Sequence, residues 1–303
     1  MEFCNFPLAR YRLQFVVSEP FSLPEYAGSA LRGVFGRSLR RIACMTKQKD
    51  CQGCPLYRSC PYTNIFETPA PIAHSVQKFS QAPNGYIIEP LEWGEREYQK
   101  GDRFAFDIVL FGRLISQLAL IVFALKRGLE YNLAGGKADL VDVLYQGQSI
   151  LQNGVIGEHS AQLEIPSNLS SHLSIELDTP LRLQNNGVPL NEDYVHKERF
   201  FIGLAKRLAL LSEFHDKPIT LDFEQIRQDI QQIQDEKLLY WQDWTRYSSR
   251  QKQKMHLGGV MGRWRFEQLS PTLANLLYLG QWLHCGKNAT FGLGKYRITS
   301  LTE

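Results

Sequence analysis

The stretch Leu283-His284-Cys285-Gly286-Lys287-Asn288-Ala289-Thr290-Phe291-Gly292-Leu293-Gly294-Lys295-Tyr296-Arg297-Ile298 lies between an apolar run, Thr272 to Leu283, and a β-type run, Lys295 to Thr299. Its local order is helix, glycine loop, strand. Glycine permits positive φ and carries no Cβ, so a loop of this kind can bring backbone N–H groups up to phosphate oxygens. Lys287 and Lys295 flank it. A glycine-rich turn with incidental lysines accounts for the same letters. A Walker loop would need glycine at Ala289 and serine or threonine at Tyr296, and a dinucleotide fingerprint would need glycine at Arg297 and a strand before the loop, so both are excluded.

The chain around this loop has 303 residues, 44% of them hydrophobic, with a formal net charge of +3. That length supports one large or two ordinary domains with proper cores. The charge is too small for binding by overall attraction, so any polyanion site must come from local clustering. The longest apolar run, Leu114 to Leu125, contains Ser116 and Gln117 and falls short of the ~20 residues that span a bilayer. The opening MEFCNFPLARYRLQF interrupts any apolar signal core with charged residues. A cytoplasmic protein with no membrane partner is expected.

Cys44, Cys51, Cys54 and Cys60 follow the pattern C-x6-C-x2-C-x5-C. In a reducing compartment such clustering favours metal thiolates over disulfides. A structural zinc site is expected, a closed loop staple with no catalytic role; an iron–sulfur cluster or unligated thiols are the alternatives. Cys4 and Cys285 stand alone and read as ordinary buried thiols.

Arg10 to Val17 alternates polar and apolar residues and is read as the first strand. Ser22-Leu23-Pro24-Glu25 has the form of a capping box and predicts a helix to about Ile42, with Ala27, Ala30, Leu31, Val34, Phe35, Leu39 and Ile42 as its buried stripe. Arg32, Arg37, Arg40 and Arg41 lie mostly off that stripe, on a face able to meet RNA or only solvent. Gly28, Gly33 and Gly36 cost helix propensity and call for close packing or close ligand approach. Strands at Tyr86 to Pro90 and Phe104 to Phe111, a helix from Gly112 to Lys126 stopped at Gly128, and a strand at Leu140 to Tyr145 complete a β-α-β-β-α-β order.

Gly147 to Ser171 reads as a linker with a short strand or two. His172 to Leu183, a helix at Tyr194 to Phe214, an amphipathic helix at Phe223 to Glu236, a hairpin of Leu239 to Tyr247 with Val260 to Leu269, the Thr272 helix and the last strand repeat the same order. The expected fold class is α+β, with two tandem ferredoxin-like (RRM-like) βαββαβ domains and a Cys-rich metal-binding insert in the first. Residues 1–150 form the first domain with its insert at about 44–85, residues 151–171 the linker, and residues 172–303 the second domain.

Between Arg246 and Arg265 stand Arg246, Arg250, Lys252, Lys254, Arg263 and Arg265, with Trp244, Tyr247 and Trp264 interleaved and no acidic residue. Cations that neutralise phosphates beside planes that stack on unpaired bases suit single-stranded or hairpin RNA. A solvated basic hairpin with core tryptophans is the competing reading.

With its doubled ferredoxin-like order and its glycine loop, the chain resembles the CRISPR-associated endoribonucleases that process precursor CRISPR RNA, within the RAMP superfamily. His284-Cys285-Gly286 and Gly292-Leu293-Gly294 fit that family's G-h-G-x5-G-h-G spacing, with His284 at the first glycine. Cys60-Pro61-Tyr62 and Phe66-Glu67 match a branch with an early cysteine-rich insert. The resemblance implies CRISPR repeat RNA as substrate, with effector-complex or adaptation proteins as further partners.

It also implies metal-independent cleavage in which the 2′-hydroxyl attacks in line, leaving a 2′,3′-cyclic phosphate and a 5′-hydroxyl. Imidazole suits the proton transfers and lysine or arginine the charge on the phosphorane. Many members carry a catalytic histidine in or near the first helix, where Tyr26 to Cys44 has none. His284 is therefore the preferred acid or base and His256 the second candidate, with assistance from Tyr26 and Lys287. The residues expected to bind RNA are Arg32, Arg37, Arg246, Arg250, Lys252, Lys254, Arg263, Arg265, Gly286, Lys287, Gly292, Gly294 and Lys295. A non-cleaving RNA-binding subunit is the alternative function, and a zinc-stabilised interaction protein without RNA a third.

Overall fold

A computed structural model describes residues 2–69, 82–248 and 253–300. His74, Arg250 and Lys252 lie outside the described residues. The chain divides into two compact units, one of Phe6–Leu163 with Leu210–Lys217 and the other of Met1–Asn5, Glu164–Ala209 and Pro218–Glu303.

In the first unit the order is β1 (Leu8–Glu19), α1 (Gly28–Ala43), α2 (Pro61–Phe66), β2 (Tyr86–Pro90), β3 (Arg103–Phe111), α3 (Leu118–Tyr131) and β4 (Lys137–Tyr145). The sheet runs β2-β3-β1-β4 with antiparallel neighbours. Each half is a β-α-β unit whose strands are separated by one other, the ferredoxin-like arrangement. Alternation in β1 sends Tyr11, Leu13, Phe15 and Val17 to the core. Phe15 stacks on Phe106 at 5.6 Å between centroids. On the other face Arg12 grips Asp107 with two hydrogen bonds, 2.8 and 3.1 Å, from the residue directly opposite in the ladder.

Two expectations for this unit are corrected. The capping box at Ser22–Glu25 does not form, because Phe21–Leu23 pairs with Arg96–Tyr98 as a short ladder. Helix α1 starts only at Gly28, after Ala27, with no side-chain cap. The second helix passes through Gly128 to Tyr131 after a 3-10 turn at Gly112–Gln117. Gly128 is there for packing, since a Cβ on it would lie 2.7 Å from Val34 Cγ1 of α1.

Gly36 has the same kind of reason. The Phe66 ring, from α2 just after the cysteine segment, occupies the space of its missing side chain, 2.2 Å from where a Cβ would sit. Phe66 stacks in turn on Tyr86 at 5.9 Å, and both belong to the core. The cysteine segment is thus pinned to α1 by an aromatic seated on a glycine.

The second unit runs β5 (Leu173–Leu181), α4 (Lys197–His215), α5 (Phe223–Gln232), β6 (Gln234–Gln242), β7 (Thr245–Ser248), β8 (Gln253–His256), β9 (Gly259–Glu267), α6 (Pro271–Leu283) and β10 (Tyr296–Ser300), α4 ending within the residues grouped with the first. Its sheet, β6-β9-β5-β10, repeats the topology of the first. Helix α5 is shorter than expected, capped by the Asp222 carboxylate on the Glu224 and Gln225 amides at 3.0 Å each. The expected hairpin is β6 with β9, and the ladder β7–β8 lies between them in sequence. Phe200, Trp264, Phe266 and Tyr296 form the fully buried aromatic centre. Gly280 makes room for Tyr296, whose hydroxyl reaches the Leu277 carbonyl at 2.7 Å.

Gly36→Ala is expected to lower the melting temperature. Overpacking a filled site costs roughly 1–3 kcal/mol, and each kcal/mol shifts a unit of this size by about 2–4 °C. Phe66→Leu combined with it should restore part of the loss, measured by thermal unfolding followed by circular dichroism.

Candidate active site

The glycine loop is seated on the widened end of β5. The β5–β9 register slips between Leu177 and Leu181, and the loop uses the backbone freed there. Gly294 N–H donates to Pro180 O at 3.0 Å and Lys287 N–H to Arg182 O at 2.9 Å. The buried Thr179 hydroxyl donates to Gly292 O at 2.8 Å and accepts from Lys295 N–H at 2.9 Å. Gly286 and Gly294 have φ of +83° and +71°, and a Cβ on them would lie 2.6 Å from Arg182 O and 1.8 Å from Cys285 O.

These glycines therefore answer to the chain's own close approach. Six of its amides are engaged within the protein: the N–H groups of Cys285, Lys287, Phe291, Gly292, Gly294 and Lys295 donate to protein oxygens. What the loop turns outward is the Lys287 side chain, with Lys295 half-buried. Arg182, which the sequence did not single out, lies half-buried beside them and donates to Gly258 O at 2.6 Å, tying the loop to the turn that leads into β9. Burial holds its pKa below the ordinary arginine value. A lone arginine after a strand carries no sequence signal of such a place.

His284 ends α6 at φ +56°, fully buried, with Nδ1 3.1 Å from Leu293 O. That contact requires the proton on Nδ1, so the ring braces one arm of the loop against the other. Behind it Cys285 is buried with Sγ 3.7 Å from Phe200 O, and burial pushes its thiol up to about 12, with Arg207 opposing. Arg207 Nε donates to Leu283 O and closes the helix end.

The other described site residues lie on elements of their own. Tyr26 is buried with its ring tilted against Trp93 at 4.9 Å, and burial, then Glu89, raises its hydroxyl well above the ordinary 10.0. Arg32 is committed to the Phe66 ring at 4.4 Å, whereas Arg37 is exposed. Arg263 and Arg265 are ion-paired with Glu176 at 3.3 Å and Glu267 at 2.7 Å. Trp264 and Trp244 belong to the core and cannot stack on bases. Arg246, Lys254 and His256 lie on β7 and β8, His256 opposite Thr245. Of the remaining described histidines, His159 bonds Tyr11 at 2.9 Å, His215 is buried on Pro83 O at 2.7 Å, and His172 and His196 are exposed.

Cys44, Cys51, Cys54 and Cys60 are free thiols around one small cavity. Cys51 is raised by burial, then lowered by Arg40, whose guanidinium also bonds Gln48 O at 2.7 Å and Lys49 O at 2.9 Å. Among the described residues, no three His, Cys, Asp or Glu side chains converge as metal ligands. Nor, among those residues, is any helix long and apolar enough to cross a membrane.

Two ferredoxin-like units, the second with a glycine loop between its last helix and last strand, define a RAMP-type protein. Residues 6–164 match the AF_1859_N family model, an N-terminal domain, and residues 175–296 match CRISPR-associated endoribonuclease Cas6. An uncharacterized protein of Archaeoglobus fulgidus is 21% identical over 92% of this chain and 94% of its own length. The fold is similar to a Cas6 product complex, from Thermus thermophilus, at TM-score 0.58 and 14% identity over 96% of this chain and 100% of that one. It is also similar to a partial Cas6-RT-Cas1–Cas2 complex, at 0.58 and 13% over 97% and 46%. Residues 175–296 are thus a CRISPR-associated Cas6 endoribonuclease domain, and residues 6–164 belong to the AF_1859_N family.

The enclosed Cys285 makes stability pH-dependent. Its thiol is raised from 9.0 to about 12 in the fold, so above pH 9 the unfolded chain loses this proton while the folded one keeps it. Stability should fall between pH 9 and 12, at up to about 1.4 kcal/mol per unit from this group. Cys285→Ala should flatten that part of the profile in urea unfolding measured at each pH.

Proposed function

We propose that this chain cleaves CRISPR repeat RNA in the precursor transcript without a catalytic metal. The observation that carries the reading is the glycine loop locked onto β5, with Lys287 outward and Arg182 beside it. A base removes the 2′-hydroxyl proton, the oxygen attacks the adjacent phosphorus in line, and the bond to the 5′-oxygen breaks as an acid protonates it. A 2′,3′-cyclic phosphate and a 5′-hydroxyl result. Lys287 and Arg182 stabilise the extra negative charge of the phosphorane. We assign the proton transfer to His256, on the ladder that carries Arg246 and Lys254. His284 acts by positioning the loop, because its buried ring is held on Leu293 O.

A second reading has its own support. Helix α1 contains no histidine and His284 is enclosed, which suits an RNA-binding subunit that does not cleave. Incubating the full chain with end-labelled repeat RNA in EDTA separates the two. Site-specific cleavage to a cyclic phosphate is expected, with His256→Ala slower by roughly 10²–10⁴-fold while binding persists. Tight binding by the wild type without cleavage would leave only the subunit. Cleavage undiminished in His256→Ala would move the proton transfer elsewhere. Association with CRISPR adaptation proteins is a further proposed partnership, supported by the similarity to the Cas6-RT-Cas1–Cas2 assembly.

For the cysteine segment we propose a structural zinc ion that draws the four thiols together, supported by their shared cavity and the absence of disulfides. Protein purified without chelators should carry about one zinc per chain by elemental analysis, and Cys51→Ser with Cys54→Ser should lose it and melt lower, as structural zinc contributes folding energy. Metal-free protein of unchanged stability would return these residues to ordinary thiols.

A further inference from the structure

Helices α1 and α3 pack closely at Gly128, which lies against the Val34 and Ser38 side chains of α1. Beside that contact lies a groove of about 400 Å³ bordered by Arg37, Arg41, Arg127, Tyr131 and Asn132. None of its lining residues is acidic. Tyr131 is 65% exposed, and the Arg41 guanidinium lies over its ring at 4.4 Å from the centroid. Arg40, the neighbour of Arg41, is turned to the cysteine segment instead. The groove residues thus keep their cations together on one surface.

A helix-end role explains only part of this. Arg41 stands in the last turn of α1, where a cation complements the helix dipole. Arg37 stands a turn earlier, and Arg127 comes from the other helix. The carboxylate partner of Arg127, Glu130, is shared between Lys126 at 3.8 Å and Arg127 at 3.6 Å. Surface pairs of this kind are weak and give way to a multivalent anion.

We propose that this groove binds unpaired RNA of the same transcript, its phosphates meeting Arg37, Arg41 and Arg127 and one base stacking on Tyr131. An inorganic anion would use the arginines but has no need of an exposed ring held flat under a guanidinium. A single strand uses both, because every base has a stacking face and every linkage a charge. The proposal rests on the RNA-processing reading and adds to it a second contact surface in the first unit.

The test uses the full chain and an unstructured oligonucleotide carrying 4-thiouridine. Irradiation followed by mass spectrometry should place a crosslink on the peptide containing Tyr131. Tyr131→Ala should weaken affinity roughly tenfold. Arg41→Ala with Arg127→Ala should reduce the slope of log affinity against log salt by about 1.4, at ~0.7 per single-strand phosphate contact. Circular dichroism melting confirms that the variants fold. Crosslinks elsewhere only, or folded variants with wild-type affinity and slope, would overturn the groove while leaving the processing reading intact. A wild type that binds no RNA would overturn both.

Discussion

At Gly294 a Cβ would stand 1.8 Å from the Cys285 carbonyl oxygen, and at Gly286 one would stand 2.6 Å from that of Arg182. No rotamer adjustment relieves a clash with backbone, so the loop closes on β5 only with glycine at these places. The same approach consumes the loop's amides, six of which donate to protein oxygens. Those six amides are spent on holding the loop shut, with the Lys287 side chain exposed and Arg182 half-buried beside it.

His284 follows from the same closure. A histidine at φ +56° with its ring held on Leu293 O is a costly backbone placement. In that place it resembles the Thr179 hydroxyl, which also spans two parts of the loop. Both act as braces on a segment whose ends are also joined by backbone contacts such as Cys285 N–H to Gly294 O. A proton-transfer group needs access to its substrate, and this separates the rigid frame of the site from its chemistry.

The fold was legible where one physical effect dominated. Alternation in β1 and the apolar stripe of α1 placed the elements, and the doubled element order gave the two ferredoxin-like units. Local signals failed where distant pairing outcompeted them. Ser22 could cap a helix, but its backbone is taken by a ladder with Glu97. Gly128 looked like a stop because its partner, Val34 on α1, is remote in sequence. The loop's glycines were found, but their reason was not, because one of the carbonyls they avoid belongs to Arg182, just past the end of β5 and remote in sequence.

Charge was the least legible quantity, for a related reason. Along the segment from Arg246 to Arg265 no acid appears, yet Arg263 finds Glu176 on the neighbouring strand, 87 residues away in sequence. An antiparallel ladder sets opposite charges face to face at fixed register, so a run of cations in one strand says little about free charge until its neighbours are known. Helix α1 sorts its arginines in the same way: Arg32 goes to Phe66, Arg40 to two carbonyls, and Arg41 to Tyr131. Committed guanidiniums hold the cysteine segment and the core in place. Those left exposed, gathered with Arg127 by the packing at Gly128, are the ones able to exchange a weak surface contact for a polyanion.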